Sequence, residues 1–156
     1  MSVLLIELAV LPVGANQSDE KDPPTMSPLH ALAWFGLITI TLVAIEIMYT
    51  YATQGFGFGF SSNRPVVELS PFGTRMKRTL QNHIESAGYI VPALAVAHLS
   101  GLQGSGIALA ALLIVIGRAA YVVLYYSGIP FIRVPAFTLG TLSSLYLFLA
   151  SFGVVG

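Results

Sequence analysis

Three stretches of this chain are built for lipid. Leu29–Ala52 holds one charge, Glu46. Leu102–Ser127 holds one, Arg118. Ile132–Val155 holds one, Arg133, at its start. A helix needs roughly 20 mostly apolar residues to cross a bilayer, and each run is long enough. A fourth stretch, Arg75–Leu99, is mixed. It opens with the polar RMKRTLQNHIESAG and closes with the apolar YIVPALAVAHL. Its polar residues fall on one helical stripe, so it reads as a fourth span. Only 9% of the residues are charged and 55% are hydrophobic. A soluble domain is about one quarter charged, and one this short cannot hide so much apolar surface.

The sequence therefore predicts an all-α integral membrane protein, an up-down antiparallel four-helix bundle. The expected helices lie near 29–52, 75–100, 104–127 and 132–154, within a domain of residues 27–156. Ser27-Pro28 reads as an N-cap followed by proline at the first helical position. Ser100-Gly101 and Ser127-Gly128-x-Pro130 break the later spans. Pro92 is expected to kink the second span. The longest connection, about Thr53–Thr74, contains GFGFGFSSNRP. Its glycines argue against a continuous helix there. The alternation of Phe56, Phe58 and Phe60 admits either a short strand or an interfacial loop.

Residues 1–26 read as a loosely attached arm, apolar and then polar. The arm is too short to span and lacks the basic start of a signal peptide. Basic residues near the helix ends set orientation. Arg64, Arg75, Lys77, Arg78 and Arg133 gather at the long loop and the third link, which puts both at the cytoplasm and both termini opposite.

Seven basic and seven acidic residues cancel, which removes the positive field of a nucleic-acid binder. Zero Cys excludes disulfides and thiolate ligands, and three scattered His supply no metal motif. Ionisable groups within spans face other helices or a wet cavity. At about 1.5 Å per residue, Asn82 lies about 6 Å and Glu85 about 10 Å deeper than Arg78. On the antiparallel third span, Tyr121 lies about 9 Å and Arg118 about 14 Å inside the exit near Ser127. Arg75, Arg78, Asn82, Glu85 and Tyr89 share one face, and Arg118, Tyr121 and Tyr125 share another. The two stripes meet at one depth, with Glu85 or Glu46 as the expected partner of Arg118. Ala93-x-x-x-Ala97, Gly106-x-x-x-Ala110 and Gly140-x-x-x-Ser144 are expected to let helices pack closely.

The run Arg75-x-x-Arg78-x-x-x-Asn82-x-x-Glu85 resembles the second-helix signature of the MAPEG family, the membrane-associated proteins in eicosanoid and glutathione metabolism. The segment GRAAYVVLYYSGIPFIRVPAF, Gly117–Phe137, resembles its third-to-fourth helix signature. The likeness runs from about Leu29 to the C-terminus and is nearer to the bacterial branch, which implies a bacterial inner membrane. It implies a homotrimer with glutathione as co-substrate between protomers. Arg78, Asn82 and Glu85 would hold the tripeptide, Tyr121 and Tyr125 would line the cleft, and Arg118 would brace it. Arg133 would be catalytic, facing the sulfur. No metal is implied. The expected activity is a transferase or peroxidase acting on an apolar electrophile or lipid hydroperoxide that arrives from the membrane. The alternative is a non-catalytic trimer that binds a lipid, a small anion or a membrane partner in the same cleft. In that reading Arg118 is half of an interhelical ion pair and Arg133 a headgroup anchor. A chain begun at Met26 is expected to insert and assemble like the whole chain, as read by size-exclusion chromatography in detergent; loss of assembly would assign the arm a structural role.

Overall fold

The computed structural model describes residues 26–155. The expected arm, residues 1–26, therefore lies outside the described residues except for Met26. The described chain is entirely helical: α1 (Pro28–Gln54), α2 (Phe56–Phe60), α3 (Pro71–Leu99), α4 (Ser105–Ser127) and α5 (Arg133–Ser151). α1, α4 and α5 are long and apolar enough to cross a membrane, and the protein is an integral membrane protein. α3 is 29 residues long, but its first half carries Arg75, Lys77, Arg78 and Glu85.

Local chemistry accounts for the helix limits. Ser27 caps α1 by accepting a hydrogen bond from the His30 N–H at 3.2 Å, with Pro28 in the first turn. The same device recurs at Ser70-Pro71, where the Ser70 hydroxyl accepts from the Gly73 N–H at 3.1 Å. α3 thus begins at Pro71, a full turn before the expected start at Arg75. It runs unbroken through Pro92 to Leu99. At its end Gly101 turns left-handed at φ 65°. The Leu102 N–H reaches back to the Ala97 carbonyl at 3.0 Å, a closing bond that lets the chain reverse at once.

The GFGFGF segment is not a strand. α1 ends because Gly55 takes φ 80°, and Phe56–Phe60 then forms a single helical turn. Phe56 and Phe60, four residues apart, share a face. Both rings stack on Tyr51, at 4.7 Å and 6.1 Å between centroids. The aromatic clamp from the end of α1 thus favours the turn over an extended chain.

α3 packs against α1, α4 and α5, whereas α1 and α5 share no interface. α4 and α5 make the most extensive pairing. The core is made of Phe35, Ile90, Leu94, Ile114 and Leu147, spaced by alanines such as Ala31, Ala93, Ala97 and Ala111. The small residues singled out in the sequence are used here. Ala93 and Ala97 are fully buried, and Gly140 and Ser144 are buried between helices. Outside this core the bundle shows apolar side chains: Ile40, Met48, Val123 and Leu142 are each more than half exposed. A soluble protein seldom presents so continuous an apolar surface; a lipid-solvated one requires it.

The tightest approach is α4 on α5. A Cβ at Gly117 would lie 2.8 Å from the Ala136 carbonyl oxygen and 3.1 Å from the Gly140 nitrogen. Both obstacles are backbone. Gly117→Ala should therefore push the helices apart and cost about 1–3 kcal/mol, as overpacking does. Gly36→Ala, which meets nothing within 4 Å, should not destabilise. Melting temperatures in one detergent check this, and equal losses in both variants would contradict the packing.

Candidate functional site

The site is organised by Arg118. Its side chain is 0% exposed, although it is always charged. α4 carries it into the seam with α3 and α5. Gly140 makes room for it, since a Cβ there would come within 3.4 Å of the Arg118 Cδ. The Nη2 donates to Asn82 twice, to its side-chain Oδ1 at 3.1 Å and its backbone oxygen at 3.3 Å. The guanidinium carbon lies 5.2 Å from the Tyr121 ring centre and 5.8 Å from that of Phe137. Aromatic faces attract cations at such distances. Nε and Nη1 are buried and have no hydrogen-bond partner among the described residues.

This corrects the expected ion pair. Neither Glu85 nor Glu46 holds Arg118. The Glu85 carboxylate accepts from Gln81 Nε2 at 3.0 Å and is exposed. Glu46 lines a different cavity, with Lys77 and Arg64. The reason is angular. Asn82 and Glu85 are three residues apart, about 60° around the helix. When Asn82 faces α4, Glu85 turns to the outer flank.

A ladder of rings leads from Arg118 to the end of the bundle. Tyr121 and Tyr125 lie 5.5 Å apart between centroids. The Arg133 guanidinium carbon sits 4.5 Å from the Tyr125 ring centre. Tyr121 also meets Phe137 at 6.0 Å. α4 and α5 thus bring Arg118, Tyr121, Tyr125 and Arg133 into one series, and α3 adds Asn82. Arg133 arrives there because the chain reverses through Ser127–Ile132, aided by Gly128 at φ 76° and Phe131 at φ 65°. Arg78 and Glu85 are exposed on the neighbouring flank of α3 and are not drawn into the series.

Three contacts escaped the stripe analysis. Phe137 supplies the second ring against Arg118. Tyr89 is anchored to Thr141 by a 3.0 Å hydroxyl contact between α3 and α5. His83, which faces away from the stripe, is fully buried between α3 and α1. It stacks on Phe35 at 4.3 Å and 14°, and its Nε2 lies 2.9 Å from Thr39 Oγ1. The Thr39 hydroxyl proton is directed to the Phe35 carbonyl at 2.9 Å, so the imidazole Nε2–H donates to the hydroxyl. Phe35 and Thr39, four residues apart on α1, are the sequence signal for that contact.

Among the described residues no group of His, Asp or Glu is placed to hold a metal ion. The arrangement instead offers two guanidiniums, two phenols and an amide, with apolar walls and unused donors. That set suits a small anion or a carboxylate-bearing molecule, because guanidinium binds carboxylates through paired hydrogen bonds.

Comparison with curated proteins and with solved structures returns no match. The model of one family matches residues 29–153, nearly the whole described bundle and both segments that form the site; the chain belongs to the MAPEG family.

Proposed function

We propose that this protein is a glutathione-dependent membrane enzyme, a transferase or peroxidase, and that three copies assemble to complete its site. The observation that carries this reading is the buried Arg118 with two donor nitrogens, Nε and Nη1, unsatisfied among the described residues. A buried cation without a counter-charge is costly, and an anionic ligand would supply one. Glutathione presents two carboxylates, one amine and amide groups. Arg78 and Asn82 would hold its carboxylate and amide groups, and Glu85 its amine. Arg118, Tyr121 and Tyr125 would line the cleft. The exposure of Arg78 and Glu85 in a single chain fits a site closed by a neighbouring copy.

In this reading α3 also spans the membrane, with its polar stripe turned to the protomer seam. The basic residues at the α1–α3 loop and at Arg133 favour a cytoplasmic position for that end of the bundle. The chemistry asked of Arg133 is modest. A free thiol has a pKa near 8.5 and is mostly protonated at neutral pH, and a fixed cation beside it lowers that value. Arg133, oriented by the Tyr125 ring, would hold the thiolate in a low-dielectric setting where its charge counts for more. The thiolate would then bond to the electrophilic carbon of an apolar substrate, displacing its leaving group as an anion. With a lipid hydroperoxide it would attack the terminal oxygen, breaking the O–O bond to leave the lipid alcohol and a glutathione sulfenic acid. A second glutathione reduces that acid to the disulfide and water. The apolar flanks of the helices give such substrates a route from the bilayer.

The test uses the purified protein in detergent. Titration with glutathione near neutral pH should raise thiolate absorbance; no binding and no signal would leave the non-catalytic, lipid- or anion-binding reading. Arg133→Ala should abolish the thiolate signal and turnover while the oligomer keeps its size. A smaller oligomer would assign Arg133 to assembly instead. Glu85→Ala should weaken glutathione binding about tenfold, as expected for one charge-assisted hydrogen bond. Unchanged affinity would remove Glu85 from the site.

A further inference from the structure

A cavity lies apart from Arg118, where α1 ends and α3 begins. It encloses about 350 Å³ and is lined in part by Glu46, Tyr49, Thr50, Phe58, Arg64 and Lys77. A smaller space of about 180 Å³ adjoins it and shares Glu46, Thr50 and Arg64. The loop after α2 forms one wall. Arg64 is fixed there, its Nη2 donating to the Gly59 carbonyl at 2.6 Å and its Nε to the Ser61 carbonyl at 3.2 Å. Those bonds use two of its five N–H groups and leave its positive charge in place. The Tyr49 hydroxyl is likewise committed, to Ser70 Oγ at 2.7 Å.

Depth makes this unusual. Glu46 lies eight residues before the end of α1, about 12 Å in. Lys77 lies six residues after the start of α3, about 9 Å in. The helices are antiparallel, so a carboxylate and an ammonium line one cavity at similar depth without pairing. The exposed side chains flanking Glu46 on α1, Val43 and Ile47, are apolar. The cavity thus presents a negative group, two positive groups and an adjoining lipid-facing surface.

We propose that this cavity binds the headgroup of a membrane phospholipid carrying a primary ammonium next to its phosphate. The ammonium donates to Glu46, the phosphate faces Lys77 and the Arg64 charge, and the acyl chains lie along Val43 and Ile47. A choline headgroup lacks N–H donors for Glu46, and a glycerol headgroup lacks the cation. This site is independent of the glutathione reading, since it uses none of the residues around Arg118.

The experiment is native mass spectrometry of the full chain, released from detergent after equilibration with phosphatidylethanolamine, phosphatidylcholine or phosphatidylglycerol. The ethanolamine lipid should be retained about tenfold better than either of the others, the effect of one charge-assisted hydrogen bond. Glu46→Gln should abolish that preference, whereas Glu68→Gln, on the exposed part of the loop, should preserve it. Thr50→Phe, which fills the space without altering its charges, should also lose the lipid and serves as the second variant. Equal retention of the three lipids by the unaltered protein would overturn the proposal, as would a preference that survives both Glu46→Gln and Thr50→Phe. Soluble phosphoethanolamine shares the headgroup chemistry but not the chains. It should fail to displace the lipid; displacement would show that a soluble zwitterion, not a lipid, is the ligand.

Discussion

A permanent charge sealed within a helical bundle must be solvated by something. Arg118 is solvated by one amide side chain, one backbone carbonyl and two aromatic faces. No carboxylate is among them. The surroundings are arranged to permit this. Gly117 lets α4 lie against the α5 backbone, and Gly140 leaves room for the arginine stem. Asn82 is turned toward the guanidinium rather than toward the outer flank. Each of these features has a packing cause and an electrostatic result. An ion pair would have neutralised the guanidinium and used its donors; the amide leaves both the charge and the donors to act on something else.

The bundle divides its labour along its axis. One half is closed by alanines and aliphatic side chains, with Leu94, Ile114 and Leu147 fully buried. Such a core has little room to rearrange, because interiors packed to this density resist small displacements. The other half holds the arginines, Tyr121, Tyr125 and the cavity at Glu46. The rigid half fixes the angles at which α3, α4 and α5 diverge, and hence the spacing of Asn82, Arg118 and Phe137. α1 is tied into this frame by the Thr39–His83 contact and the Phe35 stack. The cavity at its far end can therefore differ in chemistry from the Arg118 site although both occupy the same half.

Much of this was legible from residue types and spacing. Three apolar runs stand out by length, and Arg118, Tyr121 and Tyr125 share a face by helical arithmetic. Depth placed the stripe of Arg78, Asn82 and Glu85 in one slab with the stripe of Arg118, Tyr121 and Tyr125. What spacing did not reveal was how each stripe is rotated against its neighbours. A stripe 80° wide can be centred on a seam or lie half outside it. The second case is observed, with Asn82 inward and Glu85 outward. Charge complementarity favoured a carboxylate, Glu85 or Glu46, for Arg118, but rotation decided for the neutral amide of Asn82. The start of α3 was readable from Ser70-Pro71, the repeat of a cap already recognised at Ser27-Pro28. The helical turn at Phe56–Phe60 was not, because it depends on Tyr51 rings stacking from the preceding helix. His83 was missed because its signal, Phe35 and Thr39 one turn apart, lies on α1 and not on its own helix.

The uneven hydropathy of the helices bears on how such a protein is made. α1, α4 and α5 each partition into lipid on their own composition. A segment opening with Arg75, Lys77 and Arg78 does not, since every charge placed toward the bilayer centre opposes insertion. For α3 to cross, its polar flank must be shielded as it leaves the translocation machinery. α1 emerges before it and offers Phe35 and Thr39 to His83; α4 emerges after it and brings Arg118 to Asn82. On the proposed four-span reading, insertion of α3 would depend on the helices made before and after it rather than on its own composition.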